Sequence, residues 1–286
     1  MKRPMSMQIC HASFAGSKAL GSKTWLIKAL MLLVCAFPGL STAETAEATN
    51  NPGAAEAIDV VALVTRAIDQ TRGLSSYAQM SMRVKRPAWE RNSSLTAWTR
   101  GREDSLIRFT APARDAGNAL LKQGSKMWTF NPRLNRSIRL PNSMMSQSWA
   151  GSDFSYNDLS RSDKWLRDYT VELEKVEQMD GHSVYTINAM PHEDAPVVWG
   201  MEQMVIRDDF VLLDLFYFDQ DMVPVKRMRS LEIGELGGRV MATLMRMEDL
   251  EEEGNYTEVR YDEMQFDVEL EDRLFTVFSL RSGRQN

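Results

Sequence analysis

Cysteine is almost absent from this chain, which limits the chemistry that the chain can perform. Among its 286 residues the only cysteines are Cys10 and Cys35, and both lie within the first 43 positions. The remainder therefore cannot form a disulfide, carry a thiol nucleophile or bind a metal through thiolates. A domain without cysteine also suits an oxidising compartment.

Residues and motifs typical of enzymes are scarce as well. Beyond residue 43 the histidines are His182, in a predicted hairpin turn, and His192, and neither belongs to a pair with metal-ligand spacing. The sequence has no Gly-x-Ser-x-Gly elbow, no phosphate-binding P-loop and no Rossmann glycine fingerprint. The acidic run 248–253 fits a solvated hairpin tip better than a calcium loop, whose ligands alternate around a turn. We therefore expect no enzymatic activity, no catalytic residues, no cofactor and no metal.

Positive charge is in short supply outside the N-terminal region. Five of the 34 basic side chains, but none of the 39 acidic ones, lie in residues 1–43, so the rest of the chain has a net charge of about −10. A nucleic-acid partner would need a basic face, and this composition argues against one. It also argues against simple electrostatic attachment to an anionic membrane surface.

Long apolar runs are missing too. The apolar run 29–37 is shorter than the roughly 20 residues that cross a bilayer. It follows two lysines and precedes three small residues at 41–43, which is the arrangement of a secretory signal peptide. We predict a signal peptide over 1–43 with cleavage before Glu44; an uncleaved anchor is the alternative. The small, polar segment 44–54 is predicted to be a flexible linker.

Two segments have helical character. Over 55–71 the apolar residues recur at three- and four-residue spacing, and Gly73 follows as a natural C-terminal stop. A helix that precedes strands is expected to lay its apolar stripe on a sheet. The segment 155–165 is predicted to form a short helix with a loop.

Strands dominate the sequence from Tyr77 onward. Met80, Met82 and Val84 alternate with polar residues, a period of two that indicates a strand with one face in water. Similar runs between turn signals continue to a last strand over 274–280. About ten or eleven strands at this spacing predict a mainly β protein, either an antiparallel barrel or a strongly curved sheet.

The stretch 104–159 is the centre of the predicted domain. Three short apolar runs are separated by Pro112, Gly124 and Pro132, the punctuation of antiparallel strands joined by tight turns. They lead into 144–149, a segment rich in methionine and tryptophan that has no strand alternation. We interpret this segment as a movable apolar flap over one face of the sheet.

The same stretch carries a family pattern. Its residues are Arg108, Phe109, Pro112, Gly117, Leu120, Leu121, Trp128, Phe130, Pro132, Arg136, Arg139, Gly151-Ser152-Asp153-Phe154 and Asp158-Leu159. In their order and spacing they resemble the LolA-like superfamily of bacterial outer-membrane lipoprotein-sorting proteins, which are periplasmic carriers. The resemblance implies a half-open antiparallel β-barrel covered by short helices. It places a lipid- or lipoprotein-binding domain at 55–286, in the periplasm.

Methionine is abundant, with 15 of the 19 methionines beyond residue 43. Its side chain is flexible and polarizable, and it is common on surfaces that must fit varied apolar partners. We predict an adaptable apolar cavity with aromatic walls or lid, while ordinary core packing remains the alternative for each residue alone. The predicted cavity and flap residues are Met80, Met82, Leu120, Trp128, Phe130, Met144, Met145, Trp149, Met204 and Met245.

These features lead to one functional hypothesis and two alternatives. The resemblance implies a carrier that binds the acyl chains of a lipoprotein or lipid and moves them between the inner and outer membranes. Its implied partners are an inner-membrane transporter and an outer-membrane acceptor. The first alternative is a sensing regulatory module of the same fold, which binds lipid or lipoprotein without passing it on. The second is an envelope enzyme of unknown type.

Overall fold

The computed structural model describes residues 58–160 and 165–282. The predicted signal peptide (1–43) and linker (44–54) lie outside these residues. The strands are β1 (Ser75–Arg86), β2 (Trp89–Arg100), β3 (Asp104–Ala111), β4 (Ala119–Gln123), β5 (Lys126–Asn131), β6 (Arg136–Arg139), β7 (Tyr169–Met179), β8 (His182–Pro191), β9 (Met201–Arg207), β10 (Leu212–Phe218), β11 (Pro224–Leu236), β12 (Arg239–Asp249) and β13 (Tyr256–Phe266). The α-helices are α1 (Val60–Gln70), α2 (Tyr156–Ser160), α3 (Trp165–Asp168) and α4 (Val277–Ser282).

The strands form one antiparallel sheet in the order β6-β5-β4-β3-β2-β1-β13-β12-β11-β10-β9-β8-β7. The chain first builds a meander from β1 out to the edge strand β6. It then starts again at the other edge with β7 and returns to β13, which pairs with β1. The two edge strands do not pair with each other, so the sheet is not closed. The mainly β, half-open architecture is confirmed, with thirteen strands in the described residues rather than ten or eleven.

Strand β6 is an element that the apolar pattern did not indicate. Its four residues are Arg136–Arg139, and all but Ser137 are exposed. It pairs with β5, where Trp128 lies opposite Arg139 and Phe130 lies opposite Ser137. Neither face of β6 is buried, so it has no alternation of apolar and polar residues from which a strand could be predicted.

Helix α1 confirms the predicted N-terminal helix but begins later, at Val60 rather than Ala55. The side chain of Asp59 caps it by accepting a hydrogen bond from the backbone N–H of Ala62 at 2.9 Å. Its buried residues include Leu63 and Val64, which face the sheet. The predicted short helix with a loop over 155–165 corresponds to α2 and the start of α3.

In the described residues, no helix is both long and apolar enough to cross a membrane.

The sheet has apolar clusters on both of its faces. On the inner face, beneath α1, a large cluster draws residues from strands β1–β5 and β7–β13 and from the loops beside α2. On the outer face, a second cluster joins β3, β4 and β5 to the C-terminal segment. Alternation along β4 supplies both clusters, since Leu120 belongs to the inner one and Leu121 to the outer one.

The C-terminal segment is helical, so the predicted last strand over 274–280 is wrong. A 3₁₀ turn at Asp272–Phe275 leads into α4, where the hydroxyl of Thr276 accepts a hydrogen bond from the N–H of Ser279 at 3.2 Å. Phe275 and Leu280 are 1% and 0% exposed in the outer cluster. A short apolar run is compatible with either a strand or a buried helix, and its contacts with the sheet decide between them.

Candidate functional site

An apolar cavity of about 340 Å³ lies between α1 and the inner face of the sheet. Small-molecule sites typically measure about 300–1,000 Å³, so this volume is in the range of a ligand site. Its methionines are Met80, Met82, Met204, Met228, Met241, Met245, Met247 and Met264. Its aromatic residues are Trp149, Phe154, Trp165, Phe210, Tyr217 and Tyr261.

Strand register brings the methionines together. Met82 of β1 and Met245 of β12 both lie opposite Val259 of β13, so the three side chains form a row across adjacent strands. Farther along, Met228 of β11 lies directly opposite Met247 of β12. Unbranched, polarizable side chains in neighbouring positions make a wall that can adapt to the shape of an apolar ligand.

Helix α1 and the loop that contains Trp149 roof the cavity. Val64 and Ile68 reach down from the helix and are 0% and 8% exposed. Trp149 is 7% exposed, and its ring packs against Phe109 with 5.4 Å between centroids and an interplanar angle of 42°. This roof loop (149–155) overlaps the predicted flap (144–149) at Trp149, which lines the cavity.

Two arginines fasten the roof loop to the sheet. Arg86, at the end of β1, donates to the carboxylate of Asp153 at 3.0 Å and to the carbonyl of Gly151 at 3.2 Å. Arg91 of β2 donates to the carbonyl of Ala150. Ala150 has a φ of +52°, a conformation that is unfavourable for a residue with a Cβ. The loop is thus held by polar contacts at one end and by the Trp149 ring at the other.

A buried ion pair lies where α2 meets the cavity. The Nζ of Lys226 is 2.6 Å from a carboxylate oxygen of Asp158, and their side chains are 13% and 3% exposed. The same carboxylate accepts hydrogen bonds from the N–H and hydroxyl of Ser155 at 2.7 and 2.8 Å. Because the carboxylate is neutralised and hydrogen-bonded, a charge beside an apolar cavity becomes tolerable.

A second buried carboxylate fixes α3 on the sheet. Glu202 is fully buried and accepts hydrogen bonds from the indole of Trp165 at 2.7 Å and from the hydroxyl of Tyr169 at 2.5 Å. These bonds hold the Trp165 ring at the edge of the cavity.

The cavity wall contains few polar groups. The hydroxyls of Ser76 and Thr99 lie 2.5 Å apart and hydrogen-bond to each other. Burial raises the pKa of the Tyr261 phenol, against the opposing charge of Arg72, so the phenol stays neutral at physiological pH. The wall is therefore suited to an apolar guest rather than a charged one.

The structure brings five of the ten predicted site residues together around the cavity: Met80, Met82, Trp149, Met204 and Met245. Leu120 is buried in the inner cluster. Met144 and Met145 are half-buried and pack against that cluster beside the roof loop. Trp128 and Phe130 lie instead in the outer cluster, on the opposite face of the sheet.

Strand alternation explains both the misplaced aromatic residues and the residues that sequence reasoning missed. Along β5, Met127 joins the inner cluster while Trp128 and Phe130 join the outer one. The missed lining residues include Ala78 and Ala97, whose small side chains leave space in the wall. The sequence pattern could have identified these two alanines, because they occupy the same period-two positions as neighbouring apolar residues of β1 and β2.

A half-exposed cluster of His182, Asp208 and Asp209 lies at the hairpin turns, with its nitrogen and oxygen atoms within 4.8 Å of one another. The Nδ1 of His182 is 2.6 Å from a carboxylate oxygen of Asp208. Arg207 donates to both oxygens of Asp209, at 2.8 and 2.6 Å, and these bonds lower the pKa of that carboxyl. Because the arginine occupies the oxygens of Asp209, the contacts are those of a hydrogen-bonded turn.

The fold and the cavity define a class: an open antiparallel sheet of LolA-like architecture with a helix-roofed apolar cavity. A family model matches residues 101–282, more than half of the chain, and describes its members as uncharacterized proteins. The chain therefore belongs to this family of uncharacterized proteins. No curated protein matches the chain.

Solved structures share the fold. A DUF1329 family protein from Desulfovibrio piger is 24% identical, with a TM-score of 0.70 over 77% of this chain and 97% of its own. A domain from Vibrio parahaemolyticus, provisionally named an outer-membrane lipoprotein-sorting protein, is 20% identical, with a TM-score of 0.69 over 77% and 97%. A LolA superfamily protein from Nitrosomonas europaea is 21% identical, with a TM-score of 0.65 over 78% and 100%. At these identities, the shared property is the fold, and the resemblance drawn from the sequence is confirmed at that level.

Proposed function

We propose that this protein is a periplasmic carrier that binds the acyl chains of a lipoprotein or lipid and moves them between the inner and outer membranes. The observation that carries the proposal is the methionine-lined cavity under α1. Burying each CH₂ group of an acyl chain away from water is favourable by about 0.8 kcal/mol. A free acyl chain therefore does not cross an aqueous compartment unless a protein shields it from water. A lining of eight methionines suits chains of different length and branching.

A carrier must also release its cargo, and the roof loop offers a way to do so. Its polar contacts with the sheet are hydrogen bonds from Arg86 and Arg91 and those between Asp153 and the Thr257 hydroxyl of β13, and Trp149 packs on Phe109. Breaking these contacts would open one side of the cavity while leaving the strand pairing of the sheet intact. In this proposal the segment 144–149 is the flap, the sheet is the rigid wall, and no residue is catalytic.

The location and partners belong to the same proposal. The predicted signal peptide would export the chain, and the Vibrio and Nitrosomonas relatives bear names that refer to lipoprotein sorting or to the LolA superfamily. An inner-membrane transporter would supply the cargo and an outer-membrane acceptor would receive it.

Filling the cavity tests the proposal directly. Ala97 lies on the inner face of β2 and lines the cavity, so Ala97→Phe should occupy the space and reduce uptake of a fluorescent fatty-acid probe at least about tenfold. The matched control is Ser94→Phe, which adds the same ring at an exposed position of the same strand and should leave uptake unchanged. Equal uptake by Ala97→Phe and the wild type would contradict a cavity-bound ligand.

A transfer assay separates the carrier from a sensing module. Donor vesicles contain a fluorescent acyl lipid, acceptor vesicles contain none, and the protein is added between them. A carrier should speed the appearance of fluorescence in the acceptors in proportion to protein concentration. A protein that takes up the probe but does not accelerate transfer would favour the sensing module instead.

A further inference from the structure

The part of the chain that forms one edge of the sheet has an unusual charge. Between Asp115 and Asp153 the sequence has no acidic residue, although the whole chain contains 39 of them. The exposed basic residues of this stretch are Lys126, Arg133, Arg136 and Arg139, whereas Lys122 is buried and its Nζ donates to the backbone carbonyls of Arg102 and Glu103 at 2.9 Å. The stretch comprises β4, β5 and the edge strand β6, so a predominantly acidic domain presents one locally basic edge.

The β5–β6 hairpin holds an apolar residue at its tip. The side-chain oxygen of Asn131 accepts hydrogen bonds from the backbone N–H groups of Arg133 and Leu134, at 3.0 and 3.2 Å. Asn135 completes the turn with a φ of +45°. This local bonding fixes a compact turn in which Leu134 is 72% exposed.

The three arginines around this tip differ from arginines elsewhere in the fold. Arg133, Arg136 and Arg139 are exposed, and in the described part of the chain none of them forms an ion pair. By contrast, the half-exposed Arg260 on β13 contacts both oxygens of Glu232 at 2.7 Å. The edge therefore keeps three positive charges available for a partner.

Further apolar side chains are exposed close by. Ile138 of β6 is 42% exposed. Helix α4 packs on β4, β5 and β6, its Arg281 donates to the hydroxyl of Ser137 at 3.4 Å, and its Phe278 is 77% exposed. Charged residues alone would serve to protect a sheet edge from aggregation. That role does not call for exposed leucine, isoleucine and phenylalanine among the arginines.

We infer that the β5–β6 edge, formed by Arg133, Leu134, Arg136, Ile138 and Arg139, is a docking surface for a bilayer that contains anionic lipid. Arginines near such a surface are attracted to its lipid phosphates, and apolar side chains between them can enter the interface. The acidic balance of the whole chain opposes attachment, so a local basic edge would also orient the protein. This inference does not depend on what the cavity holds.

Vesicle co-sedimentation tests the inference with the protein purified from the cell envelope. The vesicles are phosphatidylcholine alone, or equal parts of phosphatidylcholine and phosphatidylglycerol. Binding is expected only to the second kind and should weaken as salt increases. The variant Arg133→Gln/Arg136→Gln/Arg139→Gln should bind roughly a hundredfold more weakly, since each arginine near an anionic surface contributes about fivefold.

A matched control removes the same charge elsewhere. The variant Lys85→Gln/Lys175→Gln/Arg260→Gln changes three ion-paired, half-exposed or exposed basic residues on other strands and should retain binding within about threefold. Leu134→Ser should weaken binding, whereas Val176→Ser, at an exposed apolar position on β7, should not. All variants share the same N-terminus, so residues 1–57 cannot account for a difference between them.

Two outcomes would overturn the inference. One is that the wild-type protein does not bind phosphatidylglycerol-containing vesicles at low salt, or binds both vesicle types equally. The other is an arginine variant that binds vesicles like the wild type. If that variant also no longer captures an acidic protein, the edge would be assigned to a protein partner instead. Probe uptake by the arginine variant should remain normal, so failure of docking and failure of cavity binding are distinguishable.

Discussion

The two faces of the sheet are packed in different ways. The inner face has eight methionines around a cavity of about 340 Å³. The outer cluster, within the described residues, contains no methionine; its members are Leu106, Ala119, Leu121, Phe130, Phe275 and Leu280, with Trp98, Trp128, Leu270, Leu274 and Val277 packed against them. One sheet thus supports an adaptable face and a fixed face.

The difference shows how a fold can combine a stable frame with a variable site. Leucine and phenylalanine have few rotamers and specify a single packing arrangement, whereas methionine fills irregular space in several ways. The outer cluster attaches the C-terminal segment through Phe275 and Leu280, which are almost fully buried. Large-to-small changes in the outer cluster are therefore expected to lower stability, and changes among the inner methionines to alter ligand binding.

The largest predicted effect is on the outer face. Phe275→Ala should lower the free energy of unfolding by about 3–5 kcal/mol, because it removes a fully buried ring. The control is Phe278→Ala on the same segment, where the ring is 77% exposed and the loss should be within about 0.5 kcal/mol. Urea denaturation measures both. Similar losses of unfolding free energy for the two variants would contradict the conclusion that the outer cluster is the fixed face.

The next effect concerns the roof of the inner face. Arg86→Gln removes a charge that is paired with Asp153 at 3.0 Å, where the side chains are 17% and 8% exposed. We expect a loss of about 1–3 kcal/mol in unfolding free energy and faster amide hydrogen exchange over 149–155. The exposed Arg260–Glu232 pair supplies the control, since Arg260→Gln should cost about 0–1 kcal/mol. If amide hydrogen exchange over 149–155 is unchanged in Arg86→Gln, Arg86 does not hold the roof loop in place.

The smallest effect on stability for each substitution is predicted for the methionines themselves. The triple variant Met204→Leu/Met245→Leu/Met247→Leu preserves volume, so each change should cost less than about 1.5 kcal/mol. A stiffer wall should nevertheless narrow the range of fatty-acid probes that bind, measured as the ratio of affinities for long and short chains. Leu106→Met in the outer cluster is the control and should leave that ratio unchanged. If the triple variant keeps the wild-type ratio of affinities, methionine flexibility does not determine which chain lengths bind.

Much of the fold could be predicted because strand alternation is strong where one face is buried. Met80, Met82 and Val84 were predicted to share the buried face of β1, and the structure places them there. The pattern fails where both faces are buried. Ala119–Lys122 are four consecutive buried residues of β4, so nothing in their order says which side chain faces the cavity.

The same ambiguity explains what was missed in the site. Trp128 and Phe130 were predicted to line the cavity because they are large and apolar, but the register of β5 directs them to the outer cluster. The contacts of Arg86 and Arg91 with the roof loop join residues 59 to 67 positions apart. Such long-range polar contacts leave no local pattern in the sequence.

Native mass spectrometry of the protein purified from its own cell envelope would show whether the cavity carries an acyl ligand. A bound species with the mass of a phospholipid, another acyl lipid or an acylated protein is expected in the wild type and should be lost in Ala97→Phe. An empty wild-type protein that also fails to take up a fluorescent fatty acid would rule out the proposed carrier.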